Sequence, residues 1–212
     1  MSELLTNALK QKILPAIVFN DAADVLPVAE SFLKGGLNVI EIPMRTPIAA
    51  AAVTAIRKNF PEMYVGAGTL LNVELLQQAI DAGAQFGLSA GLNPKVCKQA
   101  TGINFPFIPG VMTPSEIEQA ADLGYTIQKL FPINQIGGAA YLKAMLGPYE
   151  QLDIQFIPMG GINISNIRDY LKLKNVTAVG GSWVASKEMM AAKNYKAIEQ
   201  TVVEALQHIS NQ

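Results

Sequence analysis

The sequence predicts a single-domain α/β fold, a (β/α)8 TIM barrel over residues 1–212 with an N-terminal helix. Three observations predict it. Apolar runs rich in β-branched and aromatic residues recur at even spacing, at about residues 15–19, 38–44, 64–69, 86–90, 105–110, 126–131, 154–159 and 176–181. Segments with helix-start signals separate these runs. Three of the junctions, FLKGGLNVIEIPM, AIDAGAQFGLSAG and AADLGYTIQKLFP, share one form: a helix end, a glycine, then an apolar run. A glycine in the left-handed conformation ends a helix and turns the chain into a strand.

The elements follow in order. MSELLTNALKQKILP alternates polar and apolar residues like an amphipathic helix and lacks the apolar centre of a signal peptide. Thr46-Pro47 and Asn93-Pro94 each pair an N-cap residue with a proline for the first helical turn. Thr113-Pro114-Ser115-Glu116 adds the glutamate of a capping box. Asn72 and Asn163 are placed to cap the helices after the third and seventh strands. Strands alternating with helices imply a parallel sheet. Eight regular units without a domain break favour a closed barrel over an open doubly wound sheet. The chain is short against the usual length of about 250 residues for this fold, and short loops account for the difference.

Composition narrows the function. The 16 basic and 17 acidic residues nearly cancel and form no basic run, which disfavours nucleic-acid binding. No apolar run approaches the length of a membrane span, so a cytoplasmic protein is expected. Cys97 is the one cysteine, which leaves no intrachain disulfide framework, and its setting in NPKVCKQA suggests packing or surface. His208 is the one histidine and lies four residues from the end. Ser-His-Asp or Cys-His catalysis would have to use that tail residue, and a multi-histidine metal site is excluded within one chain. A carboxylate Mg²⁺ site has no local motif. Chemistry is therefore expected from Lys, Arg, Glu, Tyr and backbone groups, with no metal and no cofactor.

The working face of such a barrel is the C-terminal end of its strands. Glu41 and Arg45 are expected there from strand two, Thr69 from strand three and Lys129 from strand six. Strands seven and eight end in Gly160-Gly161 and Gly180-Gly181-Ser182. Lys129 shares a strand face with Ile127 and Phe131, so a lysine stands on a side that reads as buried. A buried ammonium must find a partner or lose its proton. Two readings are open. Lys129 and Glu41 form a structural ion pair, or Lys129 is a Schiff-base nucleophile with Glu41 as its general acid and base. Arg45 is either a solvated cation or a clamp for a substrate carboxylate. Thr69 reads first as a turn cap. The two glycine pairs match the usual barrel phosphate site, where backbone approaches an anion, though tight turns are the alternative. Gly137-Gly138 reads as a turn and a helix start. Trp183 and Phe131 read as packing residues, with Phe131 also a candidate wall of the lysine pocket.

The motifs EIPMRT, VGAGTLLN, GAQFGLSAGL, IPGVMTPSE, KLFP, GGINISNIRDYL and VGGSW occur in this order over nearly the whole chain. With them the chain resembles the 2-keto-3-deoxy-6-phosphogluconate / 4-hydroxy-2-oxoglutarate aldolases, class I Schiff-base barrel enzymes. The resemblance implies that Lys129 forms the Schiff base and that Glu41 is the acid/base group, acting through a bound water. It implies that Arg45 and Thr69 hold the pyruvyl carboxylate, and that Gly160, Gly161, Gly181 and Ser182 bind the substrate phosphate. It also implies a metal-independent homotrimer. The substrate is then a phosphorylated 2-keto-3-deoxy sugar acid, split into pyruvate and glyceraldehyde 3-phosphate. Cleavage of 4-hydroxy-2-oxoglutarate or of the galactonate epimer are the alternatives, and a barrel that binds a phosphorylated metabolite without turnover is a third.

Two positions depart from the family pattern. Relatives acting on the gluconate-derived substrate carry threonine where this chain has Pro43, and threonine before the Gly-Gly pair where it has Met159. A methionine cannot donate the hydrogen bond that reads a C4 hydroxyl. Relatives acting on the galactonate epimer often carry proline and a small apolar residue there, yet tend to lack the arginine found here as Arg45. These departures put the choice of aldehyde half, rather than the Schiff-base chemistry, in question.

Overall fold

The computed structural model describes residues 2–149 and 151–210. Nine strand segments are described: β1 (Ile13–Pro15), β2 (Val39–Pro43), β3 (Tyr64–Gly68), β4 (Phe86–Leu88), β5 (Phe107–Ile108), β6 (Gly110–Val111), β7 (Ile127–Leu130), β8 (Gln155–Pro158) and β9 (Val179–Gly181). All paired strands run parallel. They fall into the groups β2-β3-β4-β5, β6-β7-β8 and β1-β9. Three further parallel bridges join these groups: Ala16 to Glu41 links β1 to β2, and Phe156 to Val176 and Met159 to Gly180 link β8 to β9. Segments β5 and β6 are one barrel strand interrupted at Pro109, whose carbonyl still accepts the Lys129 N–H at 2.9 Å. The sheet thus returns to its first strand, as the even spacing of eight units predicts.

Helices α1 (Glu3–Leu9), α2 (Val25–Lys34), α3 (Ala49–Asn59), α4 (Val73–Asp81), α5 (Pro94–Gly102), α6 (Pro114–Asp122), α7 (Gly138–Leu146), α8 (Ile167–Leu171), α9 (Lys187–Ala191) and α10 (Tyr195–Ser210) precede, connect and follow the strands. The junction glycines Gly36, Gly83 and Gly124 all have φ near +90°, so the three repeated junctions are built as the sequence predicts. The last helix packs back on α2, where a β-carbon at Gly35 would meet Val202 at 2.7 Å. Both faces of β2 and β7 are covered. All five residues of β2 and all four of β7 are buried, and one apolar cluster runs from Leu5 to Ile209.

The capping signals hold at most positions. Asn72 accepts from Leu75 N, Asn93 from Lys95 N, and Thr113 and Glu116 form the reciprocal capping box. Two differ. Helix α3 begins at Ala49, beyond Thr46-Pro47, and the Thr46 hydroxyl is buried without a partner among the described residues. Asn163 does not cap α8; its side chain closes a turn by accepting from Ser165 N and Oγ, and the helix starts after Asn166. Asx turns of this kind compete with helix initiation. One strand bound shifts: the first strand pairs from Ile13 rather than residue 15, whereas the last already pairs at Val176, through its bridge to Phe156, ahead of Val179–Gly181.

Candidate active site

Counting β5 and β6 as one, β2 is the second strand of the ring and β7 the sixth, so they face each other across the barrel. Lys129 from β7 and Glu41 from β2 meet in the space between, with Nζ 3.5 Å from Oε1. Their side chains are 8 % and 1 % exposed. The contact is long for a charge-assisted bond, which usually closes to about 2.7–2.9 Å. The second carboxylate oxygen, Oε2, is buried with no hydrogen-bond partner among the described residues. Room for this carboxylate comes from Gly68 on the neighbouring strand, where a β-carbon would fall on Glu41 Oε1. The glycine of VGAG is thus a direct requirement of the buried glutamate.

The pair opens into a cavity of about 560 Å³. Glu41, Arg45, Thr69, Lys129, Phe131, Met159, Gly160, Gly161, Gly181 and Ser182 line it, whereas Gly180, of the second glycine pair, does not. Phe131 is 37 % exposed and stands at the mouth, with the Lys129 amine 5.4 Å from its ring centroid. It is a wall of the lysine pocket and not a core residue. Thr69 has φ of +59°, a left-handed conformation that a β-branched residue adopts only under strain. The cap of that turn is Asn72 instead, which leaves Thr69 to line the cavity.

Gly160 and Gly161 have φ of +96° and +78°. A β-carbon at Gly160 would meet Pro132 at 3.1 Å, and one at Gly161 would meet Asn134 at 2.5 Å. Both conformation and space therefore demand glycine. The indole ring of Trp183 occupies the space beside Gly181, and its Nε1 is buried without a partner among the described residues. Trp183 packs, as expected, and also lines the cavity. Met159 is buried, with its terminal methyl against Gly180.

Sequence reasoning missed several lining residues, including Ala16, Ala90, Ile162, Asn163, Lys187 and Met190. Asn163 and Ile162 directly follow the Gly-Gly pair, a position that could have flagged them. Nothing local marks Lys187. Among the described residues, no group of three or more His, Cys, Asp or Glu side chains is arranged to hold a metal ion. Cys97 lies in α5, buried and away from this cavity, and burial pushes its thiol up to about 11. No helix among the described residues is long and apolar enough to cross a membrane.

The fold and site define a parallel α/β barrel with a buried lysine–carboxylate pair at the head of one cavity, and the relatives of this chain are carbon–carbon lyases. The family model described as KDPG and KHG aldolase matches residues 5–201, and the chain belongs to that family. It is 43 % identical to the 2-dehydro-3-deoxy-phosphogluconate aldolase of Haemophilus influenzae, over 92 % of this chain and 91 % of that one. It is 40 % identical to the KHG/KDPG aldolase of Escherichia coli K12, over 92 % and 91 %. Among solved structures, the KDPG aldolase of Legionella pneumophila, with pyruvate captured as a covalent carbinolamine intermediate, superposes with a TM-score of 0.91. That match has 33 % identity and covers 96 % of this chain and 98 % of the other.

Proposed function

We propose that this protein is a class I aldolase that cleaves 2-keto-3-deoxy-6-phosphogluconate to pyruvate and glyceraldehyde 3-phosphate. The observation that carries the reading is the Lys129–Glu41 pair, loosely bonded and buried at the head of the cavity. The relatives' names and the covalent carbinolamine of the Legionella enzyme support it.

In the proposed reaction, Lys129 Nζ attacks the C2 carbonyl carbon. The carbinolamine loses the carbonyl oxygen as water and leaves an iminium. Glu41, acting through a water, takes the proton of the C4 hydroxyl. The electrons of the C3–C4 bond flow toward the iminium nitrogen, releasing the aldehyde and leaving an enamine. The same carboxylate returns a proton to C3, and hydrolysis frees pyruvate and the amine. Glu41 Oε2, unpartnered among the described residues, is the atom suited to this exchange. Arg45 and Thr69 hold the pyruvyl carboxylate, and Gly160, Gly161, Gly181 and Ser182 receive the phosphate. Phe131 and Met159 wall the reacting carbons.

A second reading is favoured by one specific feature. Pro43 and Met159 line the cavity without offering a hydrogen-bond donor to a C4 hydroxyl. The same chemistry on the galactonate epimer, which presents that hydroxyl with the opposite configuration, asks less of that wall. Steady-state rates on both substrates rank the two. A barrel that only binds a phosphorylated metabolite has no use for a buried lysine beside an unpartnered carboxylate oxygen.

The proposal includes one domain over residues 1–212, supported by the single apolar cluster, cytoplasmic location, and a homotrimer. Exposed apolar side chains such as Leu71, Ile103 and Ile164 offer surface for self-association, and sedimentation gives the mass.

The central test is reductive trapping. Borohydride added with pyruvate should leave a pyruvyl-derived mass on Lys129 and on no other lysine. A label elsewhere, or none, removes the mechanism.

A further inference from the structure

The ionisable residues lining the cavity are Glu41, Arg45, Lys129 and Lys187. Once Lys129 and Glu41 are paired, two cations remain. None of the ion pairs among the described residues includes Arg45 or Lys187. The two come from separated parts of the ring. Arg45 follows β2, near Thr69 at the end of β3. Lys187 follows β9, five residues beyond Ser182 and on the side of the glycine turns after β8.

Helix stability does not explain Lys187. It is the first residue of α9, just after the capping residue Ser186. A cation in the first turn has the unfavourable sign for the helix dipole. Its chain neighbour Glu188 is not its partner: that carboxylate is held below the usual range first by the Ser186 hydroxyl, with Lys187 the smallest influence.

We infer that Lys187 is a substrate-binding residue that supplies the positive charge for the phosphate of the sugar-acid substrate. The inference rests on the phosphate end proposed above for Gly160, Gly161 and Ser182, and extends it. The glycine turns and hydroxyl supply shape and neutral hydrogen bonds, whereas a phosphate dianion also calls for a formal charge. The cavity then holds one free cation for each charged end of the substrate, Arg45 for the carboxylate and Lys187 for the phosphate, with the reacting pair between them. Lysine suits the exposed rim, because it binds phosphate as a mobile point charge.

The test compares Lys187→Gln and Lys187→Arg with the unaltered protein, on 2-keto-3-deoxy-6-phosphogluconate and on the same acid without its phosphate. For Lys187→Gln, KM on the phosphorylated acid should rise about tenfold at low salt, with kcat held within about twofold. Kinetics on the unphosphorylated acid and pyruvate trapping at Lys129 should not change. Lys187→Arg should recover most of the loss, and the effect should shrink as salt is raised. The Tm of Lys187→Gln should be equal or slightly higher, since a cation leaves the helix start. Unchanged KM on the phosphorylated acid, or equal losses on both acids, overturns the inference and marks a solvated or structural lysine. An unaltered protein that traps pyruvate yet shows no preference for the phosphorylated acid overturns the phosphate end as a whole. Absence of trapping overturns the aldolase reading itself.

Discussion

Lys129 and Lys193 both sit beside carboxylates, and the two clusters are built in opposite ways. Lys193 reaches Asp21 at 2.7 Å and Asp24 at 2.9 Å, and the Tyr195 hydroxyl donates to the same Asp24 oxygen at 2.7 Å. Its side chain is 46 % exposed. The Asp21 and Asp24 carboxylates hold its amine well above the usual lysine range. This cluster clasps the segment after the first barrel strand to the turn between α9 and α10, and its contacts are short. Lys129 is buried, and among the described residues its one carboxylate contact is long and an oxygen of that carboxylate has no partner. A pair meant to hold a fold closes its hydrogen bonds. A pair meant to exchange protons and form a covalent bond keeps capacity in reserve, at the cost of a buried, under-bonded charge.

The largest expected effect breaks this contrast at Glu41. Glu41→Gln should lower kcat by about 10²–10⁴, the usual range for loss of a positioned acid/base group. The protein should still unfold cooperatively, with a Tm that is lowered because the buried Lys129 loses its carboxylate partner. Normal turnover would strip Glu41 of its role, and loss of cooperative unfolding would make the pair structural.

The clasp should behave in reverse. Tyr195→Phe removes the hydroxyl that bonds Asp24 and leaves the ring in place. The expected cost is about 1 kcal/mol, or a Tm lower by roughly 2–4 °C for a chain of this size. The rate kcat/KM should stay level. A large loss of activity at full stability would mean that the clasp serves the site directly.

The smallest effect is in acid and base. Asp21 is held below its ordinary value of 3.8, first by the Lys193 ammonium and then by the Ala23 N–H. A lowered folded value gives a contribution that is present above 3.8 and lost as pH falls through the folded value. The raised Lys193 value acts at the other end. Its contribution is full below 10.5 and is lost as pH rises through the folded value. Both groups face solvent, which screens the pair. Asp21→Asn should therefore lower the urea midpoint slightly at neutral pH, and the gap from the unaltered protein should close below the acid limb. A gap that persists there would assign the effect to packing.

Much of this arrangement is legible from residues alone. The glycine-then-apolar junctions at Gly36, Gly83 and Gly124 marked helix ends because only glycine tolerates that backbone cheaply. Asn93-Pro94 and Thr113–Glu116 marked helix starts because capping is local chemistry. Thr46-Pro47 and Asn163 misled for a related reason: the same residue types also close turns, and the surrounding packing chooses between the two outcomes. Gln128 shows another limit. It alternates with Lys129 on the opposite strand face, and it is fully buried under α6, donating to Ile117 O and Tyr125 O at 3.1 Å. In a barrel the outer strand face is covered as well.

By itself the sequence determined the α/β class, the strand-by-strand order and the identities of the groups gathered at the mouth. Those are properties of local periodicity and of side chains standing at strand ends. The tertiary structure alone decided that Glu41 and Lys129, 88 residues apart, meet across the barrel axis, that Gly68 leaves space for the carboxylate, and that Lys187 joins the same cavity. Closing a ring sets which strands face each other, and that opposition is a property of the whole sheet that no local stretch encodes.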